Sequence, residues 1–170
     1  MSTTRASKAN SSIEPKPGEW IAPEDFADVI RLTPLVAIDL IVRSIEDRVL
    51  VGRRINEPAK GLLFVPGSRI SKNETRAAAF KRVSLQELGL EVQIEQARFI
   101  GVYEHIYPTN RFGKPGFGTH YIVLAHELQL DLDPAALPTD QHGEYLWLTA
   151  AELLSSAEVH ENTKAYFRTG

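Results

Sequence analysis

The stretch FVPGSRISKNETRAAAFKRVSLQELGL, residues 64–90, joins a short apolar run, a glycine turn and a helix-forming segment that closes on Glu87 and Gly89. Residues three and four apart on a helix are neighbours, so Val83, Gln86 and Glu87 share one face, and Glu87 is the single carboxylate among the three. Gly67, in the turn before the helix, can present its backbone carbonyl. A hard divalent cation accepts carbonyl and carboxylate oxygens together, so Gly67 and Glu87 could hold one. The chain has no cysteine, which excludes disulfides and thiolate metal sites and leaves oxygen ligation. Taken alone, Glu87 also reads as a solvated helix charge and Gly67 as an ordinary turn residue.

A second acid stands out by its setting. Asp39 interrupts the apolar, β-branched run LVAIDLIV (35–42), and burying a carboxylate costs stability unless it is paired; an exposed strand end is the alternative. Arg53 and Arg54 read locally as a solvated strand edge, and Arg69 as a turn charge. His142, within the polar stretch PTDQHGE, reads by itself as a loop histidine free to move. His120, His126 and His160 share no metal-ligand spacing.

The elements that must carry these residues follow from periodicity and punctuation. A helix is expected over 22–34, with Pro23, Glu24 and Asp25 at its start and Pro34 stopping it. Strands are expected at 35–42, 48–55 and 61–67, then a helix over 74–88, strands at 98–108 and 119–130, a short strand YLWLT from 145, a helix from Ala150 and a last helix near ENTKAYF. The order lacks βαβ regularity, which predicts an α+β fold with a mixed sheet between helices. The first nineteen residues contain one aliphatic, Ile13, and read as a flexible tail before a single domain over 20–170.

With 170 residues, 43% hydrophobic and 24% charged, the chain suits one ordinary domain. Its net charge of −3 provides no broad basic field for nucleic acid, so a small anionic ligand held by local arginines is the expectation. No apolar run reaches membrane-spanning length and the start lacks an apolar signal core, which together predict a cytoplasmic protein.

The pattern Gly67-Ser68-Arg69, then Glu74, then Arg82, Glu87 and Gly89 resembles the Nudix box, a loop-helix-loop that holds Mg²⁺ against a diphosphate. Ser68 replaces the motif glycine, Val83 the Glu after Arg82, Ser84 the aliphatic residue, and Gln86 the first of the paired acids. In a typical member the missing acids help bind several metals for attack on phosphorus, so their loss points away from ordinary pyrophosphate hydrolysis. The blocks TPLVAIDLIV, GRRINEPAKG, FVPGSRI, ETRAAAFKR, QELGL, GVYEHIY, THYIVLAHEL, DQHGEYLWLT and VHENTKAYF, in this order, are similar to the GDP-mannose mannosyl hydrolase subfamily, which lacks the same acids.

That resemblance implies a Nudix fold, a homodimer, and hydrolysis of GDP-mannose or GDP-glucose to GDP and free sugar by water attacking the anomeric carbon. It places Mg²⁺, or Mn²⁺ in its stead, on the Gly67 carbonyl, Glu87 and Gln141. It makes His142 the general base, sets Asp39, Arg54, Arg69 and Tyr121 around the diphosphate and sugar, and lines the pocket with Tyr103 and His105. Arg82 would orient the box loop. Which of Tyr103, Tyr107, Tyr121 and Phe117 stacks on guanine stays open. The competing readings are a diphosphatase cutting the P–O–P bridge and a non-catalytic nucleotide-sugar sensor.

Overall fold

The structure, a computed structural model, describes residue 16 and residues 21–168. The tail read at 1–19 therefore lies, apart from residue 16, outside the described residues. Helix α1 (Pro23–Leu32) begins on its proline and buries Phe26, Ala27 and Ile30; Thr33, extended because a proline follows it, ends the helix. The chain then enters β1 (Leu35–Arg43), which runs parallel to β6 (Thr119–Gln129) from Leu35↔Tyr121 to Arg43↔Gln129. The outer neighbour of β6 is antiparallel β5 (Arg98–Tyr107).

On the other side β2 (Val49–Arg54) meets β1 in register at Arg43↔Val49, beside the connecting turn, and otherwise pairs with β3 (Leu63–Phe64) and β7 (His142–Leu148). The expected single strand at 61–67 is in fact two. Pro66 cannot donate to a ladder, so the chain leaves β2 there and β4 (Gly67–Arg69) pairs with β1 instead, from Ala37↔Arg69 to Asp39↔Gly67. The result is one mixed seven-stranded sheet in the order β3-β2-β1-β6-β5, with β4 added to β1 and β7 to β2. This crossing sets Gly67 beside Asp39.

Helix α2 (Arg76–Leu88) is capped by the Thr75 side chain, which accepts from the Ala78 amide, and by Gly89 in the left-handed conformation at φ 76°. It buries Phe80 and Val83 against Ile38 and Leu40 of β1. The opposite face of the sheet packs Ile41, Val51 and Leu63 under Leu153 of α3 (Ala150–Ser155) and Val159. Alternation along β1 places Asp39 on the same face as Ile41. The short α4 (Glu161–Lys164) and a 3₁₀ turn, Ala165–Phe167, complete that layer. The mixed sheet between helices is the α+β architecture expected.

Two of the box departures have structural explanations. Ser84 is fully buried, where its hydroxyl accepts from the Val92 amide at 2.9 Å and donates to the Lys81 carbonyl, tying the helix to the chain that follows it. Val83 belongs to the α2 core and does not face a ligand.

Candidate active site

A cavity of about 360 Å³ opens where β1 and β2 diverge. Its wall includes Asp39 from β1, Arg54 from β2, Gly67 and Arg69 from β4, and Glu87 from the last turn of α2. His105 and Tyr121 enter from β5 and β6, and Gln141 with His142 from the start of β7. Nine of the ten residues singled out in the sequence thus converge from elements up to a hundred positions apart. Tyr103 is not among the wall residues: it stands edge-on to Tyr166 at 4.6 Å, packed with the Ile41 cluster. The wall also holds Tyr107, one of the aromatics left open for stacking, together with Phe26, Arg111 and Asp140, which carried no readable sequence signal.

Glu87 is 3% exposed, and its Oε2 has no hydrogen-bond partner; His142 Nδ1 is 3.5 Å away. A buried carboxylate oxygen without a partner is costly, and a cation is the partner that removes the cost. The oxygen donors at hand, Glu87, the Gly67 carbonyl and Gln141, suit Mg²⁺ or Mn²⁺. Gln86, in the place of the other box acid, accepts from Arg82 Nη1 at 2.9 Å and so serves the scaffold. Arg82 also grips Glu74 with two nitrogens, at 2.7 and 2.8 Å, and reaches the Arg69 carbonyl at 2.9 Å, which fixes the end of strand β4, the strand that carries Gly67. Burial works against ionised Glu74, but bonds from Arg82 and the Ser71 amide outweigh it and hold its carboxyl below the ordinary value.

His142 corrects the sequence expectation of a mobile loop residue. It opens strand β7, pairs in register with Arg54, and is 3% exposed. Its ring lies so close to β2 that a Cβ on Gly52 would meet it at 2.6 Å, which is why position 52 carries no side chain. The Tyr145 hydroxyl is 3.0 Å from the Pro138 carbonyl and 3.2 Å from His142 Nδ1. With its one proton given to Pro138, Tyr145 accepts from Nδ1–H, and Nε2 keeps the lone pair.

The cations are placed by aromatic rings. The Arg54 guanidinium lies 5.3 Å from the Phe64 ring centroid and Arg69 lies 4.6 Å from that of Phe26. Burial, then the like charges of Arg82 and Arg111, push Arg69 down from its ordinary value, so an anion entering here relieves mutual repulsion. Tyr121 is half-buried beside these arginines, and the loss of solvation pushes its phenol upward.

Burial pushes the Asp39 carboxyl up to about 6; the Tyr166 hydroxyl and Arg54 pull it back, and Glu87 adds to the rise. Because the folded value exceeds the ordinary 3.8, ionising Asp39 costs stability as pH rises from about 4 through about 6. Thermal unfolding of Asp39→Asn in chelator is therefore expected to show a gain over wild type at pH 8 that vanishes by pH 4. An equal gain at both pH values would refute the assignment.

Of the other histidines, His120 bonds Glu104 at 2.8 Å, His126 is buried between Phe80 and Phe99, and His160 caps α4 and stacks on Phe64 at 4.6 Å. Among the described residues no three His, Asp or Glu gather in a metal-binding group.

Residues 33–169 match the model of the NUDIX domain. The chain belongs to the NUDIX family. Among curated relatives, this NUDIX protein is 40% identical over 130 residues to the low-salt glycan biosynthesis protein Agl8 of Haloferax volcanii, covering 76% of the chain and 80% of that protein. Its fold is similar to that of a MutT protein from Methanosarcina mazei Go1 (TM-score 0.63, 16% identity, 80% of this chain and 92% of that one). It is also similar to the NUDIX domain of Shewanella oneidensis NrtR complexed with ADP ribose (TM-score 0.57, 13% identity, 86% and 95%). By family the protein is a hydrolase, of a kind that binds small nucleotide derivatives and generally uses a divalent metal. No helix among the described residues is long and apolar enough to cross a membrane.

Proposed function

We propose that this NUDIX protein hydrolyses a GDP-sugar, GDP-mannose or GDP-glucose, to GDP and free sugar by attack of water at the anomeric carbon with inversion. The observation that carries this reading is the fate of the box positions: Glu87 alone turns a carboxylate to the cavity, while Val83 packs in the core and Gln86 bonds Arg82. One ligating carboxylate suits a single cation on a diphosphate better than a cluster of metals assembled for attack on phosphorus. The likeness to a relative named for glycan biosynthesis supports a sugar-linked substrate.

Held by the Gly67 carbonyl, Glu87 and Gln141, the cation would neutralise charge on the diphosphate. Arg54 and Arg69 face the same phosphates and stabilise the charge that grows on GDP as the anomeric C–O bond breaks; their planar guanidiniums offer paired donors. GDP is a good leaving group under these conditions, so no separate acid is required. His142 Nε2 takes the proton of the attacking water, and Asp39 and Tyr121 orient the sugar end. His105, buried and held low at about 4, stays neutral at pH 7 and lines the site without carrying charge. The resemblance also implies a homodimer, and the exposed apolar side chains Val102 and Ile106 on the outer strand β5 would suit burial in one.

Hydrolysis in ¹⁸O-labelled water tests the reaction type. With GDP-mannose and Mg²⁺, label is expected in mannose and not in GDP. Label in phosphate would instead identify a diphosphatase, and tight binding without products a sensor.

A further inference from the structure

Tyr166 has no place in the reaction described above, yet its hydroxyl is the closest polar partner of Asp39. It lies in the 3₁₀ turn after α4, and its hydroxyl is 2.6 Å from Asp39 Oδ2 and 3.2 Å from His105 Nε2. The other oxygen, Asp39 Oδ1, is pressed against Gly67, where a Cβ would collide with it. Both carboxylate oxygens are thus confined, one by a hydroxyl and one by backbone. We propose that Tyr166 is a positioning residue, whose hydroxyl fixes the Asp39 carboxylate against Gly67 at the cavity floor while His105 holds that hydroxyl in its donating orientation.

The direction of each hydrogen bond follows from the groups. An ionised carboxylate can only accept, so the single Tyr166 proton goes to Asp39, and 2.6 Å is the length of a charge-assisted O–H···O⁻ bond. Burial first, then Asp39 itself, push the Tyr166 phenol upward, so it keeps that proton. The Tyr166 oxygen is left to accept, which requires His105 to carry its proton on Nε2. The segment bearing Tyr166 is anchored independently of α2: Val159 bridges to Leu63 and His160 stacks on Phe64. The ring of Tyr166 packs edge-on to Tyr103, so a Phe in its place keeps the packing and loses only the hydroxyl.

This inference rests on the reading that Asp39 belongs to the reacting site, and two measurements separate the two claims. In the first, Tyr166→Phe is expected to lower kcat on GDP-mannose by about tenfold with KM near wild type, the loss of one bond to a charged group. In an Asp39→Asn background the same change should alter kcat by less than about twofold, because coupled residues are not additive. A full tenfold loss in that background overturns the proposal. The second needs no substrate: ¹H–¹⁵N spectra of the histidine rings should show His105 as the Nε2–H tautomer in wild type, with its signals displaced in Tyr166→Phe. An Nδ1–H tautomer, or unmoved signals, overturns it. A wild type that releases no mannose yet shows the expected tautomer and displacement sinks the GDP-sugar reading and leaves the positioning role standing.

Discussion

His142→Gln is expected to lower kcat on GDP-mannose by about 10²–10⁴ while leaving KM within a few-fold of wild type, the usual contribution of a general base. Glutamine keeps a similar volume against Gly52 and can still donate toward Tyr145, but it has no basic lone pair. Because the residue stands on a strand and is paired with Arg54, its loss should act on the chemical step and not on loop closure. A variant with wild-type kcat would move the base elsewhere.

Glu87→Gln is expected to abolish the stabilisation that Mg²⁺ confers and to lower activity on the order of a hundredfold or more, since even indirect supporters of metal ligands cost 10–100-fold when removed. In wild type, saturating Mg²⁺ at about 100 times its Kd should add about 2.7 kcal/mol to the unfolding free energy. The sign in the absence of metal runs the other way. Glu87 is buried with one oxygen unsatisfied, so the neutral amide should leave the metal-free protein as stable as wild type or more so. Calorimetric unfolding of both proteins, with Mg²⁺ and with chelator, reads both effects. A Glu87→Gln protein that is still stabilised by Mg²⁺ to the wild-type extent would remove Glu87 from the metal site.

What was legible in the sequence is what local rules govern. Pro23 and Pro34 bounded α1, Gly89 ended α2, and the β-branched run at 35–42 marked β1, because backbone restriction and side-chain period act over a few residues. Asp39 was visible for a similar reason: a carboxylate in an apolar strand has to be answered by something. The ordered motif blocks carried the family, and with it most of the cavity wall.

The tertiary structure decided what depends on partners distant in the chain. The split of 61–67 into β3 and β4 turns on two different strands competing for one segment, with Pro66 at the break. His142 reads as a loop residue in PTDQHGE, and only the β2–β7 pairing and the bare backbone of Gly52 make it a buried strand residue. Tyr103 was singled out in the sequence and Tyr166 was not, yet the fold packs Tyr103 away from the cavity wall and turns the Tyr166 hydroxyl onto Asp39, 127 positions away. A hydrogen bond between such distant groups leaves no local pattern, since its partners are brought together by burial of the sheet faces that lie between them.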